Sequence, residues 1–334
     1  MPHRRLDVVY LVAHDLRADA SGPHLGALRA SEGAISFSYA FSQAPYCAPS
    51  RASFFTGRRP SVTRVHTFDA ADRERLMPLD PLSAAYNQTP GHGSVWTALP
   101  TAFARAGYVT RGVGITLTTE SESARLGRAV WTDGYANIAH QVKATNRSGA
   151  LGALFTGEGV FDELVAQSAV DWLTWRTLQR QRQRQRQRQR RLSAGQPPAL
   201  NDSTTPAAAE GSPPFFLMAG FWAGHRPYST RTDYIDSFRV PRLPSLASSV
   251  RFHKPEPTGV FTSPKQTIDA ARGAWKAGGG TKAASGWELV RRGYLASERK
   301  WDAALGALLR GLRGLGLEQT TLLVLHADHG LSVG

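Results

Sequence analysis

The sequence predicts an α/β fold with a mostly parallel central sheet flanked by helices. Short apolar runs typical of buried strands alternate with longer segments in which apolar residues recur at helical spacing. A helix between successive strands favours parallel pairing, because the crossover returns the chain to the same edge of the sheet. The chain has 334 residues, of which 41% are hydrophobic, enough for one large domain or two smaller ones.

Four apolar runs are predicted to be strands, and polar side chains follow three of them. The predicted strands are residues 8–12, 108–113, 215–220 and 320–325. His14 and Asp15 come directly after the first strand, His225 follows the third, and Asp328 and His329 follow the last. Ligand-binding groups collect at the carboxyl ends of strands in open parallel sheets. We therefore expect these side chains to meet at one edge of the sheet.

Three segments have the apolar periodicity of helices. The first begins near Thr97, a candidate N-cap, and ends before Gly107; the others cover 161–178 and 287–312. The Gln-Arg alternation after residue 178 has no apolar residue to bury, and 193–214 is rich in Pro, Ala, Ser and Thr. Such composition predicts a disordered insertion in a surface loop at about 179–213.

The formal net charge of +14 is unevenly distributed. Seven arginines lie within 180–191, so half of the charge belongs to one segment. This tract is a candidate for binding nucleic acid, but no aromatic residue is interleaved for base stacking, so we expect no nucleic-acid partner. No run of eighteen apolar residues occurs, so no membrane-spanning helix is expected. The apolar run after the basic N-terminus lacks a small-residue cleavage site and is predicted to be a strand rather than a signal peptide.

The single cysteine lies in a distinctive motif. Cys47 begins the string Cys-Ala-Pro-Ser-Arg and is followed by Thr-Gly-Arg-Arg-Pro at 56–60. A lone thiol is most often packed as a small hydrophobe. This string, however, resembles the signature of the type I sulfatases, and the run through Pro60 is closest to their iduronate-2-sulfatase branch. The resemblance implies an alkaline-phosphatase-like fold, with 1–334 as the N-terminal catalytic domain and no C-terminal subdomain.

The resemblance also implies a mechanism and a location. In this family a formylglycine-generating enzyme oxidises the cysteine, here Cys47, to formylglycine in the secretory pathway. One hydroxyl of the aldehyde hydrate attacks the sulfur of a sulfate ester, such as that of a sulfated sugar. Arg51 is expected to hold the hydrate, and His225 to contact the sulfate or the leaving group. A lysosomal or extracellular location follows from the same resemblance.

The family binds Ca²⁺ through acidic residues that follow the first and last strands. The resemblance assigns this role to Asp15, Asp328, His329 and modified residue 47, whereas His14 stands where the family has another aspartate. Calcium prefers several carboxylates, and two imidazoles in the ligand set favour Zn²⁺ or Mn²⁺. His14 therefore joins the predicted metal ligands and leaves the metal open between Ca²⁺ and these two.

Three departures from the family leave turnover open. The family has a lysine and a histidine where this chain has Ile115 and Thr118, and a second lysine lies beyond residue 334, where we expect a truncation. Fewer cations around the sulfate weaken transition-state stabilisation. One alternative is therefore a degenerate sulfatase homologue that binds metal or sulfated glycan without turnover. Another is a metal-dependent phosphoester hydrolase on the same architecture.

Overall fold

The centre of the molecule is a five-stranded, fully parallel sheet. The structure is a computed structural model that describes residues 5–67, 97–138, 160–194, 212–225, 228 and 286–331. The strands are β1 (Asp7–Ala13), β2 (Val109–Gly114), β3 (Tyr135–Ala136), β4 (Phe215–Phe221) and β5 (Thr321–Ala327). Their order across the sheet is β3-β2-β4-β1-β5. The predicted α/β class and the parallel sheet are both confirmed.

Helices cover both faces of this sheet. They are α1 (Pro23–Arg29), α2 (Cys47–Thr56), α3 (Pro60–Thr63), α4 (Leu99–Arg105), α5 (Glu120–Arg125), α6 (Gly127–Val130), α7 (Phe161–Ser193) and α8 (Gly286–Gly314), with a 3₁₀ turn at Glu318–Thr320. The N-cap of α4 is Ala98 rather than the predicted Thr97. Gly107 follows α4 with a φ of 85°, the left-handed conformation expected just after a helix.

Alternate side chains of the central strands pack into two separate hydrophobic layers. Leu11 and Leu217 lie in the layer beneath α7 and α8, with Leu173 and Leu305. Val12 and Phe216 lie in the opposite layer beneath α2, α4 and α6. Because β1 lies between β4 and β5, the residues that follow β1 are flanked by the loops that follow those two strands.

The helix α7 corrects the prediction of disorder from residue 179. It continues through the whole Gln-Arg tract and ends at Ser193. Arginine and glutamine are both good helix formers, so the tract can extend a helix that packing has already nucleated. Arg180 anchors it, because its Nη1 and Nη2 lie 2.6 and 2.7 Å from the two carboxylate oxygens of the buried Asp7. The remainder of the predicted insertion, 195–211, lies outside the described residues.

No helix in the part of the chain that the structure describes is both long and apolar enough to cross a bilayer.

The assignment of residues 1–334 to one sulfatase-like catalytic domain stays a prediction.

Candidate active site

The predicted site residues converge at the carboxyl edge of the sheet. Cys47 is the first residue of α2, and the other side chains follow β1, β4 and β5 or lie one turn along α2. The residues brought together in this way are His14, Asp15, Cys47, Arg51, His225, Asp328 and His329.

The turn after β1 is held in an unusual backbone conformation. Asp15 has a φ of 56°, in the left-handed region that non-glycine residues seldom adopt. Its N–H donates to Asp328 Oδ1 at 2.9 Å, and its carbonyl accepts from the hydroxyl of Tyr294 at 3.0 Å. That hydroxyl also accepts a hydrogen bond from the N–H of Arg17 at 2.9 Å. Tyr294, which the sequence analysis missed, therefore fixes the turn that carries Asp15.

The sulfur of Cys47 lies among polar groups. Its Sγ is 3.0 Å from His329 Nε2 and 3.7 Å from both His14 Nδ1 and Asp15 Oδ1. Burial raises the pKa of the Cys47 thiol, and the carboxylates of Asp328 and Asp15 raise it further. The thiolate is the reactive form of cysteine. Unmodified Cys47 is therefore unsuited to act as a thiolate nucleophile.

The donor atoms around Cys47 can share one cation. His14 Nδ1 lies 3.1 Å from Asp15 Oδ1 and 3.2 Å from Asp328 Oδ2, and His329 Nε2 lies 3.1 Å from Asp15 Oδ1. Ligand atoms of His14, Asp15, Cys47 and Asp328 all lie within 4.8 Å of one another. The geometry therefore permits a metal centre whose ligands come from the loop after β1, from the start of α2 and from the loop after β5.

Both carboxylates of this centre are held in the ionised form. Burial alone would raise the pKa of Asp328, but His14, Arg51 and His329 together hold that pKa well below its usual range. Burial likewise opposes ionisation of Asp15, but the hydrogen bond with His14 and the electrostatic interactions with His14 and His225 outweigh it, so the pKa of Asp15 is also lowered. Two buried anions need neighbouring cations, and a metal ion meets that need.

Arg51 joins the loop after β5, which carries Asp328, to the loop after β2. Its side chain is fully buried, with Nε 2.8 Å from Asp328 Oδ2 and Nη1 2.7 Å from the carbonyls of Ile115 and Leu117. The Nη2 atom has no hydrogen-bond acceptor among the described residues. Arg51, which lies one helical turn from Cys47, therefore has one N–H donor group, at Nη2, that the described residues do not use.

A second residue missed by the sequence analysis holds the loop that carries His225. Asp162, in the first turn of α7, accepts hydrogen bonds from the N–H groups of Trp222 at 2.6 Å and Ala223 at 3.0 Å. Ala223 has a φ of 45°, so this turn is strained. The ring of His225 then lies 4.1 Å, centroid to centroid, from that of His14. In the sequence, an acidic residue in the first turn of a helix indicates only a favourable interaction with the helix dipole. The role of Asp162 in holding this loop was therefore missed.

The positions where the family has a lysine and a histidine are neutral here. The side chain of Ile115 is 4% exposed and packs in the core beneath α7, and Thr118 is also buried. The loop approaches β4 so closely that a Cβ on Gly220 would lie 1.8 Å from the carbonyl oxygen of Ile115. Neither side chain supplies positive charge to an anion at residue 47.

Comparisons of the sequence with known proteins find similarity to sulfatases. The family model described as Sulfatase matches residues 7–188. A human iduronate 2-sulfatase is 31% identical over 117 residues, which cover 33% of this chain and 18% of that protein. A sulfatase from Formosa agariphila is 22% identical over 320 residues, which cover 90% of this chain and 52% of that protein. The chain therefore spans at most about half the length of these relatives.

Solved structures give the same architecture. A structure described as a 2-O GAG sulfatase superposes with a TM-score of 0.52 at 14% identity, covering 99% of this chain and 59% of the other. At this identity the likeness concerns the fold alone. It confirms the predicted alkaline-phosphatase-like arrangement.

Proposed function

Because the chain belongs to the sulfatase family, we propose that it hydrolyses a sulfate ester of a sulfated sugar, using a formylglycine made from Cys47. The observation that carries this proposal is the position of Cys47. It begins α2, its Sγ is within 3.7 Å of His14, Asp15 and His329, and Arg51 is one helical turn away. The name of the human relative supports a sulfated sugar as substrate, and iduronate 2-sulfate is the first candidate.

The surroundings of residue 47 suit a polar group better than a thiol. In the hydrate of formylglycine one hydroxyl oxygen would replace Cys47 Sγ, and a second would be bonded to the same Cβ. The first hydroxyl would then meet an imidazole nitrogen and a carboxylate oxygen instead of apolar side chains. The unused Nη2 of Arg51 offers a further donor. When present, formylglycine supplies a nucleophile that can be regenerated after each turnover.

The residues of this chain then have separable roles in the proposal. Arg51 orients residue 47 and neutralises the negative charge of the sulfate, a task suited to a rigid guanidinium. His225 donates a proton to the sugar oxygen as the sulfur–oxygen bond breaks, which requires its protonated form.

We further propose that the site takes Zn²⁺ or Mn²⁺ in preference to Ca²⁺. Calcium binds six to eight oxygen ligands, whereas the described donors comprise two carboxylates, two imidazoles and the side chain of residue 47. Imidazole nitrogen mixed with carboxylate oxygen suits zinc and manganese. Asp15, Asp328, His14 and His329 would hold the ion, which would polarise a sulfate oxygen when bound.

A second candidate function follows from Ile115. Since its apolar side chain occupies the position of the family lysine, sulfate is held with fewer cations. The alternative is therefore a homologue that binds sulfated glycan or metal without turnover.

The two candidate functions differ in the partner that they require. A formylglycine-generating enzyme is required only for the hydrolase. Its involvement implies the secretory pathway, with a lysosomal or extracellular destination, as part of the proposal.

Hydrolysis assays distinguish these candidates. The chain is co-expressed with a formylglycine-generating enzyme and incubated with Zn²⁺, Mn²⁺ or Ca²⁺ and a disaccharide carrying iduronate 2-sulfate. We expect sulfate release that the Cys47→Ala variant lacks. Binding of the disaccharide without release would instead establish the degenerate homologue, and faster cleavage of a phosphate monoester would establish a phosphoesterase.

A further inference from the structure

The distal part of α7 is a basic rod on the molecular surface. Residues 182–191, here named the arginine arm, carry six arginines, and no Asp or Glu occurs between Asp171 and Asp202. All but one residue of the arm are exposed, Arg184 being half-buried. At a rise of about 1.5 Å per residue, the arm places six positive charges within about 15 Å.

The helical repeat arranges these charges in rows. Residues four apart share one face of a helix, so Arg182, Arg186 and Arg190 form a row, here named the outer row. Each of the three is exposed, and successive members are separated by about 6 Å along the helix axis. Arg186 and Arg190 also line a surface depression with Gln189 and Ser193. The outer row therefore offers regularly spaced guanidinium groups and amide donors to a ligand.

The arm lies far from the site at residue 47. Asp162 places the start of α7 beside the carboxyl end of β4, whereas Arg180 pairs with Asp7 at the amino end of β1. From Asp162 to Arg190 the helix rises about 42 Å. A monosaccharide or disaccharide cannot contact both places at once, whereas an extended polymer can.

We propose that the outer row of the arginine arm binds a sulfated polysaccharide and tethers it for the distant active site. This inference rests on the proposed function for the identity of the polymer. Guanidinium groups pair with sulfate oxygens as they do with other tetrahedral oxyanions. The arm has no aromatic residue on which nucleic-acid bases would stack, which favours a glycan over RNA. A tether raises the effective concentration of the polymer near the catalytic groups.

Heparin binding tests the proposal directly on the full chain. The dissociation constant for heparin is measured at several NaCl concentrations for the wild type and for a triple variant with Arg182→Gln, Arg186→Gln and Arg190→Gln. Glutamine preserves helix propensity, and circular dichroism checks the helix content. We expect at least about tenfold weaker binding and a salt dependence reduced by about two to three released ions.

Matched controls separate the possible results. The corresponding triple Arg→Lys variant keeps the charge and should retain most of the salt dependence. Cys47→Ala should bind heparin like the wild type, even if no variant hydrolyses any ester, so the tether can be judged without turnover. Absence of heparin binding by the wild type, or unchanged binding in the glutamine variant, would overturn the proposal. So would tighter binding of poly(U) RNA than of heparin at equal salt.

Discussion

Arg51 and Asp328 form an ion pair that is completely shielded from solvent, with Nε 2.8 Å from Oδ2 and both side chains 0% exposed. The pair joins α2, which begins at Cys47, to the loop after β5. The same guanidinium donates to two carbonyls of the loop after β2. One side chain thus ties together three of the segments that surround residue 47.

Removal of Arg51 should destabilise the fold as well as the site. Arg51→Ala leaves the carboxylate of Asp328 buried without its partner, a change that typically costs about 3–5 kcal/mol. Urea denaturation measures the loss in the free energy of unfolding. The double variant Arg51→Ala/Asp328→Asn should lose less than the sum of the two single changes, because the groups interact. Strict additivity would contradict the pairing.

The hydroxyl of Tyr294 should matter for metal binding. Tyr294→Phe removes the bridge between the carbonyl of Asp15 and the N–H of Arg17 and should cost about 1–2 kcal/mol. Because the strained Asp15 turn then relaxes, we also expect weaker Zn²⁺ binding, measured by calorimetry. The control is Tyr39→Phe, whose side chain is 88% exposed. Equal metal affinity in the Tyr294 variant would show that the hydroxyl does not position Asp15.

The identity of residue 14 should set the choice of metal. His14→Asp restores a third carboxylate, so it should strengthen Ca²⁺ binding and weaken Zn²⁺ binding by about tenfold or more each. The shift in thermal unfolding temperature with each ion reports this choice without any assay of turnover. The comparison is made in Cys47→Ser, so that a thiol does not contribute. A Cys47→Ser protein that keeps His14 and is stabilised more by Ca²⁺ than by Zn²⁺ would contradict the proposed metal.

Asp162 should give the stability a pH dependence. Burial raises the pKa of Asp162 to about 7, above its ordinary value of 3.8. Since the folded state holds this proton more tightly, its stabilising contribution is present below about pH 4 and is lost as the pH rises to about 7. Asp162→Asn should therefore destabilise the protein more at pH 5 than at pH 7.5, measured by urea denaturation. A larger effect at pH 7.5 would show that the folded state favours the carboxylate.

Four of the five strands were predictable because they are buried apolar runs, and the edge where the site forms was predictable because polar residues follow three of those runs. The short strand β3 and the order of the strands across the sheet were not predicted. His14, Asp15, Asp328 and His329 were found in this way. Tyr294 and Asp162 were not, because their roles depend on hydrogen bonds to backbone groups far away in sequence, at Asp15 and Trp222. The helix beyond residue 178 was missed because its anchor, Asp7, lies 173 residues from Arg180. Amino-acid composition and apolar periodicity do not reveal such contacts between residues that are far apart in sequence.

The mass of the tryptic peptide that contains residue 47 tests the central claim most directly. Cleavage after Arg29 and Arg51 releases residues 30–51 from a chain co-expressed with a formylglycine-generating enzyme. Conversion of thiol to aldehyde lowers the mass by about 18 Da and creates the proposed nucleophile. We predict this lower mass. Because the hydrate regains one water and is nearly isobaric with the thiol peptide, the peptide is first treated with iodoacetamide, which alkylates a thiol but not an aldehyde or its hydrate. A peptide 30–51 that is alkylated at Cys47 would contradict the proposed sulfatase mechanism.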